Sequence, residues 1–206
     1  MNSILHGLYA ITDDMLTPND KIFQSVEQVL KGGAKIVQYR NKKDDTETIK
    51  NTSLKLQKLC HQYNALFVLN DKIDIAIELG LDGLHIGKED YSNIQDVKKN
   101  FKGILGVSCY NDLNMAKDMQ GIGVDYVAFG ACFNSPTKPN APTMDLEIVK
   151  KAKDILDIPI CVIGGINRDN IKTLLHYKPD MVAIISDIWN SDNITNRSHF
   201  FANLID

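Results

Sequence analysis

The sequence predicts an α/β protein folded as one single-domain (β/α)8 TIM barrel. Three observations lead there. Short apolar runs alternate with amphipathic stretches along the whole chain, and such strand–helix units number eight. Several of the runs are apolar on both faces, as expected of a parallel sheet covered by helices. The chain has 206 residues and 44% hydrophobic content, enough for one domain with a real core. A barrel of that size is compact, near the lower end of the usual range of ~200 to 400 residues. An open doubly wound sheet would more often carry a glycine-rich turn after its first strand. The turn here is Thr12-Asp13-Asp14-Met15. No linker, low-complexity segment or basic tail divides residues 1–206.

Gly7 to Thr12 reads as the first strand. A helix follows from Lys21 to Leu30, with Ile22, Val26, Val29 and Leu30 on one stripe and Gly32-Gly33 as its stop. The second strand opens at Ile36. The next helix runs from about Thr46 to Tyr63, with Asn64 as its stop. Leu66 to Leu69 is the third strand. Ile73, Ala76 and Ile77 mark the helix after it, which Gly80 closes. Gly83 to Ile86 is the fourth strand, and Tyr91 to Asn100 a weaker helix. Ile104 to Val107 and Asp125 to Phe129 are strands five and six, with a helix over Leu113 to Gln120 between them. The loop from Gly130 to Thr143 holds three of the six prolines. Then come a helix over Leu146 to Leu156, strand seven at Pro159 to Ile163, a helix over Asp169 to His176, strand eight at Met181 to Ile185, and a terminal helix over Arg197 to Leu204.

The formal net charge of -3 gives no support for a nucleic-acid or membrane-surface protein, which would show a basic patch. No apolar run approaches the ~20 residues that span a membrane, and Met1 to Gly7 lacks the pattern of a signal peptide. The four cysteines, Cys60, Cys109, Cys132 and Cys161, are widely spaced, which fits buried thiols in a reducing compartment. A cytoplasmic protein is expected. Self-association into a homo-oligomer is compatible with the sequence.

A parallel barrel places its site at the C-terminal ends of the strands. Strand two runs Ile36-Val37-Gln38-Tyr39-Arg40-Asn41-Lys42. Side chains alternate, so Gln38, Arg40 and Lys42 share one face while Val37 and Tyr39 take the other. That face suits either a solvated edge or an anion site. Strand three ends in Asn70-Asp71, and strand four leads to Asp90. Each aspartate could simply cap a helix. Strand five ends in Ser108, and strand six leads to Ser135, Pro136, Thr137 and Lys138, where the hydroxyls could cap turns. Strand seven ends in Gly164-Gly165 and strand eight in Ile185-Ser186. His85, inside strand four, reads as a packed residue. Taken together, two carboxylates beside cations suit Mg²⁺ bridging a substrate phosphate. The glycines after strand seven and Ser186 after strand eight lie where this fold commonly binds phosphate. Two phosphorylated small-molecule substrates meeting over the barrel are the simplest use of that layout.

In order along the chain stand Gln38-x-Arg40-x-Lys42, Asn70-Asp71, His85-x-Gly87-x-x-Asp90, Gly106-x-Ser108, Ser135-x-Thr137-Lys138 and Ile163-Gly164-Gly165-Ile166. With these motifs the chain resembles the thiamine phosphate synthase (thiamine-phosphate pyrophosphorylase) family from Leu8 to Ser186. The resemblance implies a transferase of thiamine biosynthesis. Such enzymes join 4-amino-2-methyl-5-hydroxymethylpyrimidine pyrophosphate to 4-methyl-5-hydroxyethylthiazole phosphate, or its carboxylated form, and release pyrophosphate. It implies a pyrimidine pyrophosphate site of Gln38, Tyr39, Arg40, Asn41, Lys42, Asn70, Ser108 and Lys138. Within that site Arg40, Lys42, Ser108 and Lys138 are the catalytic groups. It implies a thiazole phosphate site of Ser135, Pro136, Thr137, Gly165, Ile185 and Ser186, and Mg²⁺ on Asp71 and Asp90.

No side-chain nucleophile is needed for this chemistry, and no credible Ser/His or Cys/His pair is visible in the sequence. Lys88 departs from the Gln common in the family, Ser135 from Thr, and Cys109-Tyr110 from a small residue followed by His. The nearest alternative is a related thiazole tautomerase, which relies on a His soon after strand five and has a degraded pyrophosphate site. A catalytically silent ligand-binding barrel is the other, and it predicts loss of the metal pair.

Overall fold

Eight parallel strands close into a barrel in strict chain order, with the last strand beside the first. The computed structural model describes residues 4–134 and 142–205. The strands are β1 (Gly7–Ile11), β2 (Ile36–Tyr39), β3 (Leu66–Asn70), β4 (Gly83–Ile86), β5 (Ile104–Tyr110), β6 (Tyr126–Phe129), β7 (Ile160–Ile163) and β8 (Met181–Ile184). The helices are α1 (Ile22–Lys31), α2 (Thr46–Gln62), α3 (Ile73–Leu79), α4 (Ile94–Asn100), α5 (Leu113–Ile122), α6 (Glu147–Ile155), α7 (Ile171–Leu175), α8 (Ser186–Trp189) and α9 (Ile194–Ile205). The expected (β/α)8 barrel is therefore present.

The alternation along each strand separates two cores. Tyr9, Ile11, Ile36, Leu66, Val68, Tyr126, Cys161 and Met181 fill the barrel interior. Leu8, Val37, Tyr39, Phe67, Leu84 and Val107 point outward into the layer under the helices. All four cysteines are buried free thiols within these cores. No helix among the described residues is long and apolar enough to cross a membrane.

Local chemistry sets the helix ends. Asp45 caps α2 by accepting from Thr48 N, and Asp112 caps α5 by accepting from Asn114 N and Met115 N. Gly80 and Gly123 end α3 and α5 in the left-handed conformation, and Asn64 takes the same conformation after α2. Gly32 ends α1 for another reason: its φ is -79°. A Cβ there would lie 2.4 Å from Ser198 Cβ and 2.6 Å from Thr195 O, so glycine lets α9 approach α1. That contact ties α9 to α1, and the Trp189 indole, which donates to Ile11 O at 2.6 Å, ties α8 to β1.

Three differences from the sequence reading stand out. The stretch expected as one helix over Tyr91–Asn100 divides into a 3-10 helix, Lys88–Asn93, and α4. Strand β5 runs on to Tyr110, because a register shift between Ser108 and Tyr110 and a φ of 55° at Tyr110 accommodate extra residues beside β6. Ile77 is exposed and Ile75 is buried in its place. The barrel floor also carries a device that the strand pattern does not announce. Asp125 and Asp180, each just before a strand, accept from the backbone N–H of Leu105 and Ile160 and pair with Lys98 and Lys153. Each thus stitches one strand entry to the next, at the face where this fold carries stability rather than chemistry.

Gly32→Ala should destabilise the protein by about 2 kcal/mol, because overpacking here strikes backbone and a helix. Gly121→Ala, in α5 with open space around its Cα, should stabilise it by about 0.5 kcal/mol or more. Urea unfolding of both variants checks the opposite signs.

Candidate active site

Two cavities adjoin the C-terminal ends of the strands, one at the barrel mouth and one between α3 and α4. One, of about 360 Å³, is lined by Ser108, Tyr110, Asn111, Gly165, Ile185 and Ser186 among others. The other, a more open groove of about 730 Å³, has Asp71 and Asp90 on its wall with Asp74 and Asn93.

The first cavity depends on close backbone approach. Gly164 and Gly165 have φ of 109° and 64°. A Cβ on Gly165 would sit 2.4 Å from Asn134 O, and one on Gly164 would sit 2.6 Å from Ala131 Cβ. Only glycine allows the turn after β7 to lie against the segment after β6. Ile185 and Ser186 follow β8 directly, with Ser186 opening α8. Tyr110 and Asn111 line this cavity too and were not assigned from sequence. Their signal was the departure at Cys109-Tyr110, which places an exposed aromatic ring at the rim.

In the second cavity Asp71 adopts φ 60°, a left-handed conformation that aspartate tolerates better than most residues. The helix-cap alternative does not hold for it. Lys72 is the N-cap of α3 and no side chain caps that end. Burial, then the nearby Asp71 and Glu89, hold the Asp90 carboxyl above its usual value. Two carboxylates that repel each other in a cleft, neither consumed by a cap, suit a hard divalent cation. No cluster of three or more His, Cys, Asp or Glu side chains with metal-site geometry occurs among the described residues, so substrate oxygens and water would complete such a shell.

Strand β2 stands between these regions. Tyr39 is buried in the outer layer, so only its main chain faces the mouth. Arg40 is half-buried and Lys42 exposed at the rim, and Thr12 braces the Arg40 backbone through its hydroxyl. The Asn41 carbonyl accepts from Lys43 N and Asp44 N while its amide donates to Asp44, which shapes the loop. Asn70 ends β3 level with them. Gln38, Arg40, Lys42 and Asn70 line neither cavity. Ser135, Pro136, Thr137 and Lys138 lie outside the described residues.

Gln38 is buried inside the barrel and donates through Nε2 to Tyr9 Oη at 2.7 Å. Tyr9 Oη lies 2.9 Å from Tyr126 Oη, which lies 2.9 Å from His85 Nδ1. His85 Nε2 lies 2.9 Å from Ser108 Oγ. His85 is packed, as its strand position implied. It also forms the Ser/His pair that the sequence did not reveal, because strands β4 and β5 juxtapose residues 23 apart. Burial pushes the His85 pKa down to about 4 and both phenols well above their ordinary range, so all are neutral at physiological pH. Gly106 makes room for this chain: a Cβ there would meet the Tyr126 ring at 1.9 Å.

A family model described as thiamine monophosphate synthase matches residues 8–188. The chain belongs to the thiamine monophosphate synthase family. It is 41% identical to the thiamine-phosphate synthase of Wolinella succinogenes over 188 residues, covering 90% of this chain and 86% of that protein. It is 38% identical to the thiamine-phosphate synthase of Nitrosococcus oceani, covering 97% and 95%. The structure of thiamine phosphate pyrophosphorylase from Pyrococcus furiosus superposes with a TM-score of 0.87 at 31% identity, covering 98% of this chain and 95% of that one.

Because His85 is held neutral, the unfolded chain takes up its proton first as pH falls. Folding stability should therefore drop from about pH 6.5 towards pH 4, with about 3 kcal/mol attributable to this residue. In urea unfolding across that window, His85→Gln should show the flatter profile.

Proposed function

We propose that this chain is a transferase that condenses 4-amino-2-methyl-5-hydroxymethylpyrimidine pyrophosphate with 4-methyl-5-hydroxyethylthiazole phosphate, or its carboxylated form, to give thiamine phosphate and pyrophosphate. The observation that carries the reading is family membership over residues 8–188. The cavity at the strand ends with Ser108, Gly165 and Ser186, and the groove between α3 and α4 that Asp71 and Asp90 border, support it.

The chemistry asks little of a nucleophile. The pyrimidine amino group feeds electrons into its ring, so the CH₂–O bond can ionise to a stabilised cation that the thiazole nitrogen then attacks. The barrel must hold the leaving pyrophosphate and keep the two rings in line. Arg40 and Lys42 stand at the rim as its grip, and the resemblance assigns Lys138 to the same task. Asn70 and Gln38 sit at the base of that grip, Gln38 with its amide already fixed by Tyr9. The backbone of Gly165, with Ile185 and Ser186, forms the seat for the thiazole phosphate, and Ser135 and Thr137 are assigned to it by resemblance. Asp71 and Asp90 would hold Mg²⁺, which when bound neutralises pyrophosphate charge.

Mixing both phosphorylated substrates with the protein and Mg²⁺ should yield thiamine phosphate and pyrophosphate. A folded protein that makes neither product would refute the assignment. Asp71→Asn keeps a residue that accepts the left-handed backbone while removing the charge. Its turnover should fall about 100-fold with an unchanged circular dichroism spectrum. Wild-type rates in that variant would show that the carboxylate is not used.

A further inference from the structure

The buried side-chain hydrogen bonds of the barrel interior have a direction. Each phenol carries one proton. With the Gln38 amide as donor to Tyr9 Oη, the order that gives both phenol protons an acceptor runs from Tyr9 to Tyr126 Oη and from Tyr126 to His85 Nδ1. The His85 proton then resides on Nε2 and is donated to Ser108 Oγ. If Tyr126 donated to Tyr9 instead, the Tyr9 proton would lose its acceptor in this chain, inside a barrel where both phenols are at most 1% exposed. The Ser108 hydroxyl receives one proton at the end of the chain and keeps its own for the cavity that it lines.

We propose that the chain Gln38–Tyr9–Tyr126–His85 fixes Ser108 as a hydrogen-bond donor to the reacting pyrimidine, with Tyr9, Tyr126 and His85 as positioning residues. The proposal rests on the condensation reading above. A donor at Ser108 selects a ring nitrogen of the heterocycle rather than its exocyclic amino group, which is itself a donor. It leaves that amino group free to feed electrons into the ring while the CH₂–O bond breaks. The order of protons also makes His85 unfit as a base for Ser108, because the nitrogen facing the hydroxyl already holds a proton. The polarity is set remotely, since turning the Gln38 amide over would reverse every donor in the chain. Packing supports the arrangement: the His85 and Tyr126 rings stack at 5.6 Å, Tyr9 meets Tyr126 edge-on at 6.2 Å, and Gly106 leaves space for the Tyr126 ring.

Tyr126→Phe keeps the ring and removes the one proton that holds His85 Nδ1 as an acceptor. Its kcat/KM for the pyrimidine pyrophosphate should fall about tenfold, while KM for the thiazole phosphate stays unchanged. In a Ser108→Ala background the same substitution should change kcat/KM less than about twofold, because the group being oriented is gone. Equal losses in both backgrounds would mean that Tyr126 only supports the fold, and would overturn the proposal. A ¹⁵N spectrum of the wild-type protein, with the His85 signal assigned by His85→Gln, should show the neutral tautomer protonated at Nε2. Protonation at Nδ1 would overturn the polarity. The spectrum needs neither turnover nor a folded Tyr126→Phe variant. A wild type that made no thiamine phosphate would thus refute the condensation reading while the proton order was still decided.

Discussion

The hydrogen bond between the Tyr9 and Tyr126 hydroxyls is the interaction on which the upper barrel depends. A closed eight-stranded barrel must fill its interior with side chains from every strand, and most positions here do so with aliphatic groups. At one level the filling is polar. Two phenols meet across the barrel from residues 117 apart in sequence, and neither can be buried without a partner. One hydrogen bond joins them, and each has a second partner: Tyr9 accepts from the Gln38 amide and Tyr126 meets His85 Nδ1. The floor of the site is thereby a satisfied network rather than a layer of adaptable hydrocarbon. Such a network holds its end groups in one orientation.

Glycine has two distinct uses around that floor. After β7 it supplies both left-handed backbone and the absence of a Cβ, so that two loops lie against each other and wall the smaller cavity. At Gly106 the backbone is ordinary strand, and the requirement is volume alone. The Gly106-x-Ser108 pair is thus one structural unit. The glycine admits the Tyr126 ring, and the serine receives the end of the chain that this ring continues.

Most of the architecture was legible in the sequence, because parallel strands buried on both faces are apolar runs and their boundaries carry Gly, Asn and Asp with conformational reasons. Positions at strand ends were legible for the same cause: once the barrel is assumed, the C-terminal ends converge. Tyr9 and His85 were not legible as site components, since each sits inside a strand and looks like core filling. Only closure of the barrel places them beside Gln38 and Ser108. The aspartate–lysine stitches on the barrel floor escaped for a related reason. Each aspartate is a local turn residue whose backbone partner belongs to the preceding strand. The split of the Tyr91 helix was hidden as well, because the Tyr91 hydroxyl donates to the Ser108 carbonyl, a contact between a loop and a neighbouring strand.

That last contact joins the two halves of the mouth. The 3-10 helix Lys88–Asn93 carries Asp90 on one side and Tyr91 on the other. Asp90 faces the groove with Asp71, while Tyr91 reaches the backbone of the residue whose hydroxyl ends the buried chain. A short, tight helix serves here better than a continuous α-helix. Eclipsed side chains and a different rise per residue let neighbouring residues address the acidic groove and the Ser108 strand at once. One short turn thus ties the acidic groove to the Ser108 backbone, and the left-handed Asp71 stands across that groove at the end of β3.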